Sequence, residues 1–220
     1  SEKDTAGMVF SMMIPMLMMI FLFSGCMAVA PESIAGEKER GTIATLLVTP
    51  MKRSHLALGK ILSLSVIAIL SGLSSFIGTM LSLPNMMGGM EDVSASVYQV
   101  SDFLLLLAVI LSTVLVIVSI ISIISAFAKN VKEATTWVTP VMIVCMLLAV
   151  TSMIESLKPD NLFMYLIPPY NSVQCMSSVF LFSVNAVHVM ITFVSNLVYA
   201  GIFVWVLTRM FNSEKIMFSK

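Results

Sequence analysis

Charged side chains are scarce in this sequence of 220 residues, of which only 11% are Asp, Glu, Lys or Arg. A soluble domain usually carries about 25% charged residues, so a single water-facing globule is excluded. The formal net charge is zero, and no overall positive field favours nucleic acid as a partner. The three cysteines, Cys26, Cys145 and Cys175, form no Cys-x-x-Cys pair, and we expect them to be small buried apolar residues.

The signatures of common enzymes are also missing. The sequence has no glycine-rich run ending in Gly-Lys-Ser/Thr to hold ATP phosphates, and neither His-Glu-x-x-His nor Gly-x-Ser-x-Gly occurs. The histidines, His55 and His188, lie too far apart in the sequence to suggest a local pair of metal ligands. We therefore expect no catalytic residue, no metal site and no cofactor bound by this chain.

Apolar residues make up 58% of the chain and are gathered into five long blocks. About 20 helical residues span the hydrocarbon core of a bilayer. Because lipid offers no hydrogen-bond partners, the backbone must satisfy its own polar groups, and each block therefore predicts a transmembrane helix. The predicted fold is all-α, a polytopic helical membrane protein forming a single domain over residues 1–220. The blocks run over roughly Met8–Ala30, Gly59–Leu83, Phe103–Ala128, Trp137–Ile154 and Val184–Leu207.

Lys and Arg are divided unevenly between the connections. The connections around 31–60, 129–132 and 209–220 carry ten of the twelve, whereas the other set carries only Lys3 and Lys158. Cytoplasmic loops are enriched in Lys and Arg, so the first set is predicted to be cytoplasmic, with the amino terminus outside and the carboxyl terminus inside. Because an outside start without a signal peptide needs an earlier span, we expect at least one helix before Ser1.

The stretch Leu162–Phe182 is too apolar for an ordinary loop and is broken by two prolines. Two helical halves that dip into the outer leaflet would fit, with Pro168, Pro169, Tyr170 and Asn171 at the break between them. Irregular backbone survives at membrane depth only where protein or a watery cavity covers it. A connector lying along the membrane surface fits the physics equally well.

Polar groups inside the predicted spans are hydroxyls and amides. Ser71, Ser75, Ser122 and Asn196 are candidates to line a translocation pathway. Small residues four apart, such as Ser71 and Ser75, also permit close helix packing, which is the simpler interpretation for any one of them. No carboxylate lies in the predicted interior, so no buried acid supports a cation site there.

The segment 31–58 combines dense charge with a short apolar pattern. A mixed-charge run, Glu37 to Arg40, precedes Gly41 and Thr42, and a Leu46-Leu47 pair follows. Ile43, Leu46 and Leu47 share one face of a short helix, which Pro50 would end. The segment is either a docking element for a cytoplasmic partner or a solvated loop that only fixes the topology.

The run EKERGTIATLLVTPMKRSHLALGKIL, residues 37–62, closely resembles the cytoplasmic loop of the ABC-2 family of ABC-exporter permeases. The resemblance continues in AFAKNVKEATTWVTP (126–140), IPPYNSV (167–173) and RMFNSEKIMF (209–218). The last of these is most similar to permeases of the NatB type, which are associated with sodium export.

This resemblance implies six spans, of which the chain would hold the second to the sixth, in a bacterial plasma membrane. A coupling helix would insert into a separate cytoplasmic ABC ATPase, which binds ATP and Mg. Two permease copies, identical or different, would complete the transporter within membrane lipid, and the stretch 162–182 would form an outer re-entrant pair. The coupling residues would be Glu37, Lys38, Glu39, Arg40, Gly41, Thr42, Leu46, Leu47 and Pro50.

Sodium efflux is one function that this resemblance implies, and export of drugs, peptides or lipid-linked molecules is the alternative within the same family. A transporter or channel that needs no ATPase would favour buried ionisable residues and inverted repeats, neither of which is visible. An intramembrane enzyme is disfavoured because no buried His, Asp and Ser constellation is visible.

Overall fold

The computed structural model describes residues 2–86, 100–154, 157, 159, 161–213 and 216. Helices and turns account for the described part of the chain, which contains no strand. The all-α prediction is confirmed. In chain order the α-helices are α1 (Glu2–Pro31), α2 (Glu37–Glu39), α3 (Thr42–Val48), α4 (Arg53–Met86), α5 (Val100–Phe127), α6 (Val131–Val150), α7 (Tyr170–Phe180) and α8 (Ala186–Phe211).

Within the described residues, five helical stretches are long and apolar enough to cross a membrane, as predicted: Met12–Glu39, Arg53–Ser74, Ser101–Phe127, Val131–Met153 and Ala186–Phe211. Large apolar side chains lie on their outer surfaces, among them Leu147, Met190 and Trp205, which are 65%, 66% and 59% exposed. Apolar patches of this extent are rare on soluble monomers and are stable in hydrocarbon. The chain is therefore a multi-pass membrane protein.

The first helix continues past its predicted end near Ala30. Its backbone passes through a π-helix, Glu32–Gly36, directly into α2, so the start of the segment 31–58 is helical rather than a loop. Charged residues end a membrane span, but they do not end a helix. The helix ends before Gly41, whose φ of 74° lies in the left-handed region that glycine adopts without steric cost.

The fourth span begins earlier than its predicted start near Trp137. The Asn130 side chain accepts a hydrogen bond from the Glu133 amide at 2.8 Å, and the Glu133 carboxylate accepts one from the Lys129 amide at 2.8 Å. Asn followed three residues later by Glu is a helix-start signal that satisfies the free amides of the first turn. This cap sets the beginning of α6 at Val131.

Helices α1 and α5 form the centre of the bundle. α1 packs against α4, α5, α6 and α7, and α5 also packs against α8. The three cysteines are buried within this core, as predicted. We call the end that holds the α1–α4 connection and the α5–α6 turn the basic end.

The α1–α4 contact depends on small residues. A Cβ atom placed on Gly25 would lie 2.8 Å from both the Cβ and the Oγ of Ser71. At Gly72 a Cβ would lie 2.2 Å from a methyl group of Leu22. Close approach of this kind is how membrane helices gain packing energy without a hydrophobic driving force between them. Ser71, a pathway candidate, therefore lies in a tight helix–helix contact.

We expect Gly25→Ala to lower the free energy of unfolding by about 1–3 kcal/mol, because an added methyl group overpacks the contact with Ser71. Ser71→Gly should relieve part of that loss in the double variant, giving a favourable coupling energy in the cycle. Thermal unfolding of the purified protein in detergent measures both effects. Gly201→Ala is the matched control, since nothing lies within 4 Å of its added Cβ. Equal melting temperatures for Gly25→Ala and Gly201→Ala would contradict this packing.

Candidate functional site

The α1–α4 connection at the basic end contains the short helix α3. Gly41 turns the chain out of α2, and α3 ends before Thr49, whose ψ of 148° is extended, as expected for a residue preceding proline. Ile43 is 1% exposed and attaches α3 to the bundle, while Leu46 is half-buried. The side chain of Leu47 lies outside the described part. The structure thus has a short helix where the sequence predicts one, and Ile43 is its main buried contact.

The other side of this connection is open. Val48 is 82% exposed and Met51 is 42% exposed. Thr42, Thr49 and Pro50 are exposed as well. The α3 helix is therefore held to the bundle on one side and presents apolar and hydroxyl groups on the other, which is a suitable surface for a protein partner.

Lys60 of α4 reaches back to the helix that precedes α3. Its Nζ donates to the Ser33 carbonyl at 2.8 Å, to the Ser33 hydroxyl at 3.3 Å and to Glu37 Oε1 at 2.8 Å. The Lys60 and Glu37 side chains are only 10% and 24% exposed. A buried ammonium is tolerated only when it is paired and hydrogen-bonded. These contacts therefore fix the π-helix and the first residue of α2 to α4.

The next two residues of the charged run contact other helices. Lys38, 9% exposed, donates from Nζ to the Ala126 carbonyl of α5 at 3.2 Å. Glu39 Oε2 accepts from the Val131 amide of α6 at 3.2 Å. The sequence places both residues in the coupling segment, and the structure shows them bonded within the chain.

Arg40, like Glu39, is exposed. Its guanidinium forms an ion pair with Glu32, which precedes Arg40 by eight residues, and both side chains are more than half exposed. This hydrogen bond raises the pKa of Arg40 above its already high value, so the guanidinium stays charged. An exposed pair of this kind contributes little to stability. Arg40 is thus the cation of the run that is accessible to a partner, since Lys38 is buried.

The predicted re-entrant stretch divides into two unlike parts. A 3-10 helix, Leu162–Leu166, is largely exposed, with Phe163 79% exposed. After Pro168 and Pro169, which are joined by a cis peptide bond, α7 has ten of its eleven residues buried. A surface connector is therefore wrong for α7 and fits only the first part. The depth of α7 in the bilayer stays a prediction.

The polar face of α7 is paired with neighbouring helices. Asn171 Nδ2 donates to the Tyr165 carbonyl at 3.0 Å and to Asn196 Oδ1 at 3.1 Å. Asn196 Nδ2 donates to the hydroxyls of Ser112 at 3.2 Å and Ser172 at 3.0 Å. Both asparagines are 0% exposed. This network, which we call the asparagine network, joins α7 to α5 and α8.

Two further contacts extend from the same helix. Gln174 Nε2 donates to the Thr151 hydroxyl at 3.1 Å, just beyond α6. Cys175 Sγ lies 3.1 Å from the Thr192 hydroxyl of α8. Polar side chains of α7 therefore contact two of the long helical stretches directly, and they reach α5 through Asn196.

The three pathway candidates whose side chains are described are not gathered into one site. Asn196 belongs to the asparagine network, Ser71 contacts α1, and the side chain of Ser75 lies outside the described part. Ser122 of α5 is 0% exposed, and its hydroxyl has no hydrogen-bond partner among the described groups. The structure instead brings Asn171 and Asn196, which the sequence assigns to different roles, into direct contact.

Lys60, Ser33 and Ser112 were not identified from the sequence. The position of Lys60 in the sequence could have indicated its role, because a lysine directly before a long apolar run must find hydrogen-bond partners at the edge of the bilayer. Ser33 and Ser112 have no such signal, because hydroxyls are common in membrane helices and their partners are distant in sequence.

We expect Asn196→Ala to lower the free energy of unfolding by about 1–2 kcal/mol, because it leaves buried polar partners without their hydrogen bonds. The loss should be non-additive with Asn171→Ala in a double-mutant cycle. Chemical or thermal unfolding in detergent measures it, with exposed Asn161→Ala as the control. An unchanged stability combined with altered transport would instead assign Asn196 to the pathway.

The chain matches the model of the ABC-2 family transporter protein over residues 2–209. It is 31% identical over 148 residues to the ABC transporter permease protein NatB of Bacillus subtilis (strain 168), covering 64% of this chain. The match spans only 37% of that relative's length. No solved structure gives a significant match. Because the family model covers nearly the whole chain, this protein belongs to the ABC-2 family of transporter membrane domains.

Proposed function

We propose that this ABC transporter permease is the membrane subunit of an exporter driven by a separate ATPase that docks on α3. The observation that carries this proposal is the two-sided environment of α3. Ile43 is 1% exposed on the bundle side, whereas Val48 is 82% exposed on the other. The sequence has no phosphate-binding loop of its own, so ATP and Mg would be bound by the partner.

The basic end would face the cytoplasm, where the ATPase and its ATP are found. The excess of Lys and Arg in the connections at this end supports that orientation. Two permease copies, identical or different, would bind two ATPases, since ATP-driven closure of paired subunits requires two docking points. The membrane would be the plasma membrane of a bacterium.

Movement of the ATPase would be received by α3 as a unit. Gly41, with its left-handed backbone, and Thr49, with its extended backbone, bound α3 on either side. Leu46 and Leu47 would pack against the partner or the bundle, and Arg40 would pair with acidic groups of the ATPase. Rigid-body rocking of the attached helices would then alternate the access of the pathway.

We expect Val48→Asp to weaken ATPase binding by roughly tenfold or more, because a carboxylate buried in an apolar contact loses its hydration. The measurement is the affinity of the ATPase for full-length permease in nanodiscs, together with the rate of stimulated ATP hydrolysis. Val48→Leu should retain both, since it keeps the apolar surface.

Asn212→Asp is the matched control, because it adds the same charge at an exposed position on the end of α8. Equal losses for Val48→Asp and Asn212→Asp would point to a general charge effect and contradict docking on α3. Coupled transport that survives Gly41→Pro combined with Leu46→Asp would also contradict it, since that variant removes the left-handed turn and the half-buried face of α3.

The proposed cargo is sodium, on the strength of the resemblance of residues 209–218 to sodium-export permeases. The described residues hold no group of three or more His, Cys, Asp or Glu able to bind a metal ion. A sodium path through this part of the protein would therefore use hydroxyl, amide and carbonyl oxygens. Drugs, peptides and lipid-linked molecules are the competing cargos within the same family.

We expect Na⁺ to accelerate ATP hydrolysis by the complex and ²²Na⁺ to accumulate in inside-out vesicles only when ATP is present. K⁺ at the same ionic strength is the control for a general salt effect. If a drug or peptide stimulates ATP hydrolysis and Na⁺ does not, that compound replaces sodium as the proposed substrate. The proposed coupling to the ATPase would remain supported.

A further inference from the structure

Three consecutive charged residues each contact a different helix at the basic end. Glu37 binds Lys60 of α4 at 2.8 Å, Lys38 binds the Ala126 carbonyl of α5 at 3.2 Å, and Glu39 binds the Val131 amide of α6 at 3.2 Å. We call Glu37-Lys38-Glu39 the clasp. It lies about one turn before α3 in the chain, so movement of α3 is passed to it through the Gly41 turn.

The sign of each charge matches the group that it contacts. The Ala126 carbonyl belongs to the last turn of α5, where carbonyls lack a partner within the helix and the helix dipole is negative. The Val131 amide opens α6, where amides are free and the dipole is positive. A cation at the first and an anion at the second are therefore the favourable arrangement, and the clasp caps both helices at the α5–α6 turn.

Small side chains allow the helix that carries the clasp to approach this turn closely. Ala35, Ala128 and Ala134 are each 0% exposed and form a separate cluster at this contact. Gly36 lies beside them and is covered by the Glu32 side chain, whose carboxyl group would lie 3.0 Å from an added Cβ. Lys38 is thus buried and Glu37 is half-buried against packed protein, whereas Glu39 is exposed and reaches the Val131 amide from the surface.

We infer that the clasp is the element through which displacement of α3 is passed to α4, α5 and α6 together. The covalent chain alone would pass that displacement only to the two helices that flank α3. The contacts of Lys38 and Glu39 add the α5–α6 turn, which is 88 and 92 residues away in sequence. The three residues are positioning residues, and this inference rests on the proposed docking of an ATPase on α3.

The test follows hydrogen–deuterium exchange of the full-length permease assembled with its ATPase, without nucleotide and with Mg-ATP trapped by vanadate. In the wild type, Mg-ATP should change exchange both at α3 and at the α5–α6 turn, residues 126–133. In Lys38→Met and in Glu39→Ala, the change at α3 should persist while the change at the turn falls by roughly tenfold, the ratio expected for losing one hydrogen bond to a charged group.

Two further variants separate transmission from mere stability. Lys38→Arg can still donate to the Ala126 carbonyl and should restore the change at the turn. Arg209→Met removes an exposed charge from α8 at the same end and should leave it unaltered. ATP hydrolysed per Na⁺ transported should rise several-fold in Lys38→Met, whereas a purely structural defect would lower both rates together.

The outcomes distinguish the clasp from the function on which it rests. If Mg-ATP produces no change at α3 in the wild type, docking on α3 is overturned, and the clasp as a transmitting element is overturned with it. If α3 responds but the turn does not, or if the turn responds equally in Lys38→Met and Glu39→Ala, only the clasp is overturned. Loss of the response in Arg209→Met would likewise overturn it.

Discussion

Two lysines, Lys38 and Lys60, are each only 9% exposed at the edge of an apolar bundle. Leaving either without partners there would cost several kcal/mol, so each side chain must hold a carboxylate, a hydroxyl or a carbonyl in a fixed position. Lys60 holds Ser33 of the π-helix and Glu37 at the start of α2, and Lys38 holds the end of α5. The position of α3 depends on these lysine contacts, because α3 follows α2 after a single glycine turn.

The five long helices could be predicted because the length of an apolar run reflects the thickness of the bilayer and requires no knowledge of neighbours. The ends of these helices were less predictable. The polarity of the side chains indicates where the hydrocarbon core ends, but it does not indicate where the helical backbone ends. The stretch Met12–Glu39 has 28 residues, about 42 Å of helix, against a hydrocarbon core of about 30 Å. The extra length of this helix contains the charged residues that the sequence alone assigns to a cytoplasmic loop.

The contacts of the candidate site were hidden for a different reason. Charge patterning marked Glu37, Lys38 and Glu39 as important, but a lysine with a long apolar stem can lie in protein or in water. The partners of Lys38 and Glu39 are a backbone carbonyl and a backbone amide at the α5–α6 turn, about 90 residues further along the chain. The charge pattern alone does not reveal partners so distant in sequence. The pairing of Asn171 with Asn196 is likewise a product of helix packing, which one sequence without structure does not specify.

The asparagine network also bears on how the protein is made. With eleven residues, about 16 Å of helix, α7 is too short to cross the bilayer, and its amides and hydroxyls would be unsatisfied in lipid alone. Its partner Asn196 lies in α8, which leaves the ribosome later. The hydrogen bonds of Asn171 and Ser172 to Asn196 can therefore form only after α8 has been synthesised, later than the packing surfaces that α1 and α5 offer to α7.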